Sequence, residues 1–163
     1  MSFQVRTINP ADSAAILKIN AECTPHVARL DEQELRRLVA LASVAWVAQS
    51  DKQVVGYLLA MANSDHYDGE EFGRFREQFQ QPFVYVDQVA VAAGALREGI
   101  ASRLYEHLRH WCVAHGIDIL CCEVNTKPLN TTSMKFHERL GFQRLDEWET
   151  SDGRRVVLLY RLG

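Results

Sequence analysis

Residues 89–105, VAVAAGALREGIASRLY, decide the reading of this chain. The apolar run VYVDQVAV (84–91) has the β-branched and aromatic content of a strand and ends at Val91. Small residues follow, then Leu96-Arg97-Glu98-Gly99-Ile100-Ala101-Ser102, and then a helical pattern with no gap. A strand, a glycine-bearing turn and a helix present several free backbone N–H groups to one anion, with the helix dipole behind them. The turn is therefore a candidate phosphate cradle.

Outward from this segment the chain alternates between elements of both kinds. FQVRTI (3–8) reads as a strand. An amphipathic helix opens at Pro10 and Asp12 and runs to Cys23, where Thr24-Pro25 breaks it. Asp31 caps a second helix, EQELRRLVALA. VAWVAQ and QVVGYLLAMA flank Ser50-Asp51-Lys52 as an antiparallel hairpin. Residues 63–82 are polar and acidic with Phe72, Phe75 and Phe79 at helical intervals, which predicts a helical insertion with an aromatic edge on the body. After strand 83–91 and the helix to His115, a short apolar strand is expected over 117–124 and a helix from Asn130 to Gly141. FQRLDEWET and RRVVLLYRL, joined around Ser151-Asp152-Gly153, close the chain as a second hairpin. The expected fold is a single α/β domain over residues 1–163, of the α+β type, with a mixed, mainly antiparallel seven-stranded sheet flanked by helices.

Bulk properties exclude several function classes. The 163 residues are 47% apolar and 24% charged, ordinary values for a soluble globular domain. A net charge of −3 argues against nucleic-acid binding through a basic surface. No apolar stretch approaches the ~20 residues that span a membrane. The first residues, MSFQVRTINPADS, lack the layout of a secretion signal, so a cytoplasmic location is expected. The cysteines at 23, 112, 121 and 122 include no CxxC pair, and adjacent strand residues 121 and 122 face opposite ways. Reduced, mostly buried thiols and no metal are expected. A P-loop or two-glycine Rossmann turn is absent from the sequence, which disfavours a nucleotide-binding domain.

A second motif lies downstream: Glu123-Val124-Asn125 at the end of a strand, then NTTSMKFHERLGF (130–142). Together the two motifs resemble the GNAT (Gcn5-related) superfamily of N-acetyltransferases, which use acetyl-coenzyme A. Gly99 and Ala101 fit that family's loop pattern, and Leu96 stands where Gln or Arg is usual. Asn130, Ser133, Gly141 and Phe142 fit the second motif, and His137 stands where a Tyr general acid is usual. The resemblance implies the acyl-CoA N-acyltransferase fold, with strands 83–91 and 117–124 parallel and splaying apart beyond Val91 to admit acetyl-CoA. The pyrophosphate would lie on the N–H groups of 96–102, with Asn130, Ser133, Phe136 and His137 on the other side of the cosubstrate. The pantetheine arm would bond the edge at Val89 and Val91, and a backbone N–H near Val89 or Ala90 would polarise the thioester carbonyl.

The chemistry needs a base, because a primary amine of pKa ~10 is mostly protonated at pH 7. Glu123 is the first candidate and Asp87 the second. The alternative for Glu123 is an ion pair with a cation such as Lys127, and for Asp87 a counter-ion to the substrate amine or a hydrogen-bonded core group. Histidine at 137 has the chemistry to protonate a leaving thiolate, or it is simply a packed helix residue. The acceptor is a primary amine of a small molecule or peptide, and nothing in the sequence names it. A non-catalytic acyl-CoA sensor on the same fold, a longer acyl donor, and a homodimer through the C-terminal edge strands are alternatives left open.

Overall fold

The computed structural model describes residues 3–127 and 130–162. Seven strands form one sheet: β1 (Phe3–Thr7), β2 (Val44–Ser50), β3 (Gln53–Ala62), β4 (Phe83–Val91), β5 (Ile119–Lys127), β6 (Gln143–Glu149) and β7 (Arg155–Leu162). Their order is β1-β2-β3-β4-β5-β7-β6. Only the β4–β5 neighbours run parallel. The helices are α1 (Ser13–Cys23), α2 (Glu32–Leu41), α3 (Glu70–Gln78), α4 (Ile100–Ala114) and α5 (Thr131–Arg139). This is the mixed, mainly antiparallel seven-stranded sheet with flanking helices expected above.

The sheet carries a core on each face. Val84, Val86, Leu104, Leu108, Val157 and Leu159 belong to one, and Ile16, Leu35, Tyr57, Phe72, Phe75 and Tyr85 to the other. Alternation along each strand sends successive side chains to opposite cores, so Cys121 and Cys122 fall on different faces and are both buried. All four cysteines are free thiols.

Several local signals fold as their residue types require. The Asp31 carboxylate accepts from the Glu34 N–H at 2.7 Å, and the Asn130 side chain accepts from the Ser133 N–H at 3.2 Å, which fixes the starts of α2 and α5. The β2–β3 turn takes Asp51 and Lys52 through φ of 49° and 67°, a left-handed pair that matches the twist of a two-residue hairpin.

Three expectations are corrected. The helix of the 63–82 insertion is confined to Glu70–Gln78. The strand expected over 117–124 runs instead from Ile119 to Lys127, so Glu123 sits at its middle rather than its end. The parallel pairing of β4 and β5 joins Phe83 to Ile119, Val84 to Leu120 and Tyr85 to Cys121, and goes no further. The splay therefore opens after Tyr85, six residues before the expected point at Val91. The cause lies partly in β4. Leu59 pairs with Gln88 and Ala60 with Val86, so Asp87 is an unpaired bulge residue. A bulge bends its strand and increases local twist, which turns the rest of β4 away from β5.

Candidate active site

The splay opens into a cleft of about 1110 Å³ between β4 and β5. One end is closed by the turn before α4 and by α5, the other by the chain between α1 and α2, by α3 and by Arg154 of β7's approach.

At the α4 end, Arg97 and Gly99 both adopt left-handed backbone, with φ of 71° and 76°. Left-handed residues separated by one other at a helix start turn consecutive N–H groups into one concavity, an anion nest. A Cβ added at Gly99 would meet no protein atom within 4 Å, so the space above the turn is open. Leu96, Arg97, Gly99, Ile100, Ala101 and Ser102 line the cleft. Glu98 does not; it borders a separate small hollow with Phe3 and Arg103. Arg103 is occupied there, its guanidinium 4.7 Å from the centre of the Phe3 ring. Leu96 is 61% exposed, so its side chain fills no pocket of its own.

Along the middle of the cleft, Val86 to Val91 lack a strand neighbour on the β5 side, and Val89, Ala90 and Val91 line the opening. Such an edge offers main-chain groups to an extended ligand. The Cys23 thiol reaches the Val91 carbonyl at 3.6 Å. Nest, open edge and the α5 start with Asn130, Ser133 and Phe136 form a continuous track suited to an acyl-CoA, and they line one cleft.

His137 is 4% exposed and has both ring nitrogens engaged. Its Nδ1 lies 2.8 Å from the Ser133 carbonyl, which only a ring N–H satisfies. Nε2 is then the acceptor for the Tyr105 hydroxyl at 2.7 Å. Burial pushes the His137 pKa down, against the Ser133 carbonyl, so the ring is neutral at pH 7. Tyr105 of α4 lines the cleft beside it and was not among the residues singled out from the sequence.

The opposite half of the cleft is charged, with Arg29, Arg37 and Arg154 lining it beside its acids, and Arg37 pairs with Glu34 at 2.7 Å. Glu123 faces it from β5, Asp87 from the β4 bulge, and Glu71 and Glu34 from α3 and α2. The Tyr85 hydroxyl donates to Glu123 Oε1 at 3.4 Å and the Tyr67 hydroxyl to Asp87 Oδ1 at 2.7 Å. Burial, with the charges of Glu71 and Asp87, pushes the Glu123 carboxyl up to about 8, against the charge of Arg154 and the Tyr85 hydrogen bond. Burial raises Asp87 to about 6, against its hydrogen bond from Tyr67. Arg154 is held by Glu71 at 3.3 Å, Asp152 at 3.1 Å and the Asn125 side chain at 3.3 Å. The Lys127 side chain, the other partner considered for Glu123, lies outside the described residues. Among the described residues no group of three or more His, Cys, Asp or Glu is arranged to hold a metal. No described helix is long and apolar enough to cross a membrane.

Comparison with known proteins decides the family. The family described as "Acetyltransferase (GNAT) family" matches residues 14–142, most of the chain. The chain belongs to the GNAT acetyltransferases. A GNAT protein of this kind is an acetyl-CoA-dependent enzyme. Among curated relatives, this GNAT chain is 26% identical over 118 residues to the aminoglycoside N(6')-acetyltransferase type 1 of Salmonella typhimurium, covering 71% of this chain and 72% of that one. Among solved structures it superposes on Ard1 of Thermoplasma volcanium with a TM-score of 0.78 at 16% identity, over 99% and 98% of the two chains. Arabidopsis thaliana Naa50, solved with the bisubstrate analogue CoA-Ac-MVNAL, gives 0.75 at 17% identity over 100% of both. The structural likenesses speak to fold.

Proposed function

We propose that this GNAT enzyme moves the acetyl group of acetyl-CoA to a primary amine of a small molecule or peptide by direct attack, with Glu123 as base. The observation that carries the reading is the position of Glu123. It lies two residues past the last β4–β5 pair, where the strands part, with a carboxyl raised to about 8 by burial and by its acidic neighbours. A carboxyl tuned towards neutral pH suits a general base. Glu34 and Glu71 are paired with Arg37 and Arg154 in the same lining, which leaves Asp87 and Glu123 as the acids facing the acceptor side. The aminoglycoside named for the curated relative and the peptide analogue bound by Naa50 are acceptors of these two kinds.

In this reading the N–H groups of 96–102 hold the pyrophosphate, and the edge Val89–Val91 holds the pantetheine. A backbone N–H near Val89 or Ala90 stabilises the oxyanion. Glu123 takes the proton of the attacking amine. The departing thiolate takes its proton from the Tyr105 hydroxyl, which exchanges its bond to His137 Nε2 for the sulfur and is reprotonated from solvent; His137 Nε2 carries no proton to give. Four free thiols fit a reducing, cytoplasmic setting. The test is thermal unfolding with and without acetyl-CoA, ATP and NAD, followed by thiol release against a panel of amines. Ligand at a hundred times its Kd adds ~2.7 kcal/mol of stability. A shift with acetyl-CoA alone and amine-dependent thiol release are expected; the absence of both would overturn the proposal.

A further inference from the structure

A buried polar cluster lies behind the acceptor side of the cleft and is used by none of the steps above. It joins Asn20 of α1, Tyr57 of β3 and Gln88 of β4, with Asn20 and Gln88 almost fully buried. The Asn20 amide donates to the Ala28 carbonyl at 2.8 Å and to Gln88 Oε1 at 3.2 Å. Gln88 Nε2 donates to the same Ala28 carbonyl at 2.9 Å. The Tyr57 hydroxyl donates to Gln88 Oε1 at 2.7 Å, and the Leu30 N–H donates to Asn20 Oδ1 at 2.9 Å. Residues 24–31 contain no helix or strand, yet His26, Val27, Ala28, Arg29 and Leu30 line the cleft. Their main-chain anchors are this cluster, Thr24 and His26 bonding back to the end of α1, and the Asn125 amide reaching the Pro25 carbonyl at 3.3 Å.

The bulge makes this arrangement possible. With Asp87 left unpaired, Gln88 joins Tyr85 and Ala90 on the α1 side of the sheet. Regular alternation from Tyr85 would have turned it to the α4 side. The same strand position therefore stands between Asp87, which faces the acceptor, and Val89, on the edge assigned to the acyl donor.

We infer that Gln88 is a positioning residue, fastening the acceptor-side wall 24–31 to the strand that grips the acyl donor. This rests on reading the cleft as the acyl-transfer site. Gln88→Met keeps the length and removes both amide functions; Tyr57→Phe removes one hydroxyl and leaves both donors on the Ala28 carbonyl. Loss of one such bond is worth about 1 kcal/mol, a change of about fivefold in local opening. In amide hydrogen exchange, Gln88→Met is expected to speed exchange across 24–31 at least fivefold, with β5 and β7 unchanged. Tyr57→Phe is expected to leave 24–31 as in the wild type. In kinetics, Gln88→Met raises the acceptor KM about fivefold or more and changes the acetyl-CoA KM less than twofold. Unchanged exchange over 24–31 overturns the inference even if no amine is ever found to be acetylated. Faster exchange in both variants alike, or a fall in kcat with both KM values intact, also overturns it.

Discussion

The Tyr85 hydroxyl donates to Glu123 from the last residue of β4 that pairs with β5. Tyr85 thus marks the point where the sheet parts, and it holds the carboxylate at the head of the opening. Burial and the neighbouring acids favour the neutral form of Glu123, while Tyr85 and Arg154 favour the anion. The balance leaves a carboxyl raised to about 8.

The rate should follow that titration. With the Glu123 anion as the proposed base, kcat/KM of the wild type is expected to rise with pH through an apparent pKa near 8. Glu123→Gln is expected to cost about 10²-fold at pH 7 and to move the rise towards the pKa of the acceptor amine, narrowing the gap at high pH. Asp87→Asn removes a charge that raises Glu123, so its profile is expected to rise at lower pH than that of the wild type. A pH-independent loss in Glu123→Gln would assign the residue to binding.

Stability should show the same group from the other side. The folded-state pKa of Glu123 lies above its ordinary value of 4.5, so the fold prefers the protonated carboxyl. The penalty is absent below pH 4.5, grows between 4.5 and about 8, and is then constant. Glu123→Gln is expected to raise Tm at pH 9, by several degrees for a penalty of a few kcal/mol, and to leave it unchanged at pH 4. An equal Tm difference at both pH values would contradict the assignment.

Gly99 separates strain from cosubstrate binding. Its φ of 76° suits glycine, and asparagine tolerates it better than other residues. Its Cβ position is free of protein atoms. Gly99→Asn is expected to cost about 1 kcal/mol of stability or less, while weakening acetyl-CoA binding at least tenfold by calorimetry. Intact affinity would mean that the nest does not hold the pyrophosphate.

For the Tyr105–His137 pair a double-mutant cycle is the measurement. His137→Phe strands a buried hydroxyl, which costs about 1–3 kcal/mol, and Tyr105→Phe removes the group the ring supports. Each is expected to slow turnover while sparing acetyl-CoA affinity, and the double variant is expected to be little slower than the worse single one. Additive losses would show that the two side chains act independently.

How far the chain could be read depended on how local each signal was. The nest around Gly99, the Asp51-Lys52 turn, the caps at Asp31 and Asn130 and the period-two strands need only neighbours in sequence, and all were legible. Glu123 and Asp87 were legible as acids in apolar strands. Tyr85 looked like any core aromatic, Tyr105 like any apolar-face helix residue, and Glu71 like one of a run of surface acids. Arg154 carried no motif at all; its partner Glu71 is 83 residues away.

The sequence by itself determined the element order, the strand–turn–helix that makes the nest, and the family resemblance, because backbone conformation and side-chain alternation follow from adjacent residues. Only the tertiary structure decided where β4 and β5 part, that Gln88 faces α1, and that Glu123 sits mid-strand among Glu71, Asp87, Tyr85 and Arg154. The bulge at Asp87 sets the second and contributes to the first, and it exists only as a register shift against β3. The electrostatics of Glu123 are a sum over charges and burial from four separate segments, β5 itself, α3, β4 and the approach to β7, which folding alone brings within reach of one another.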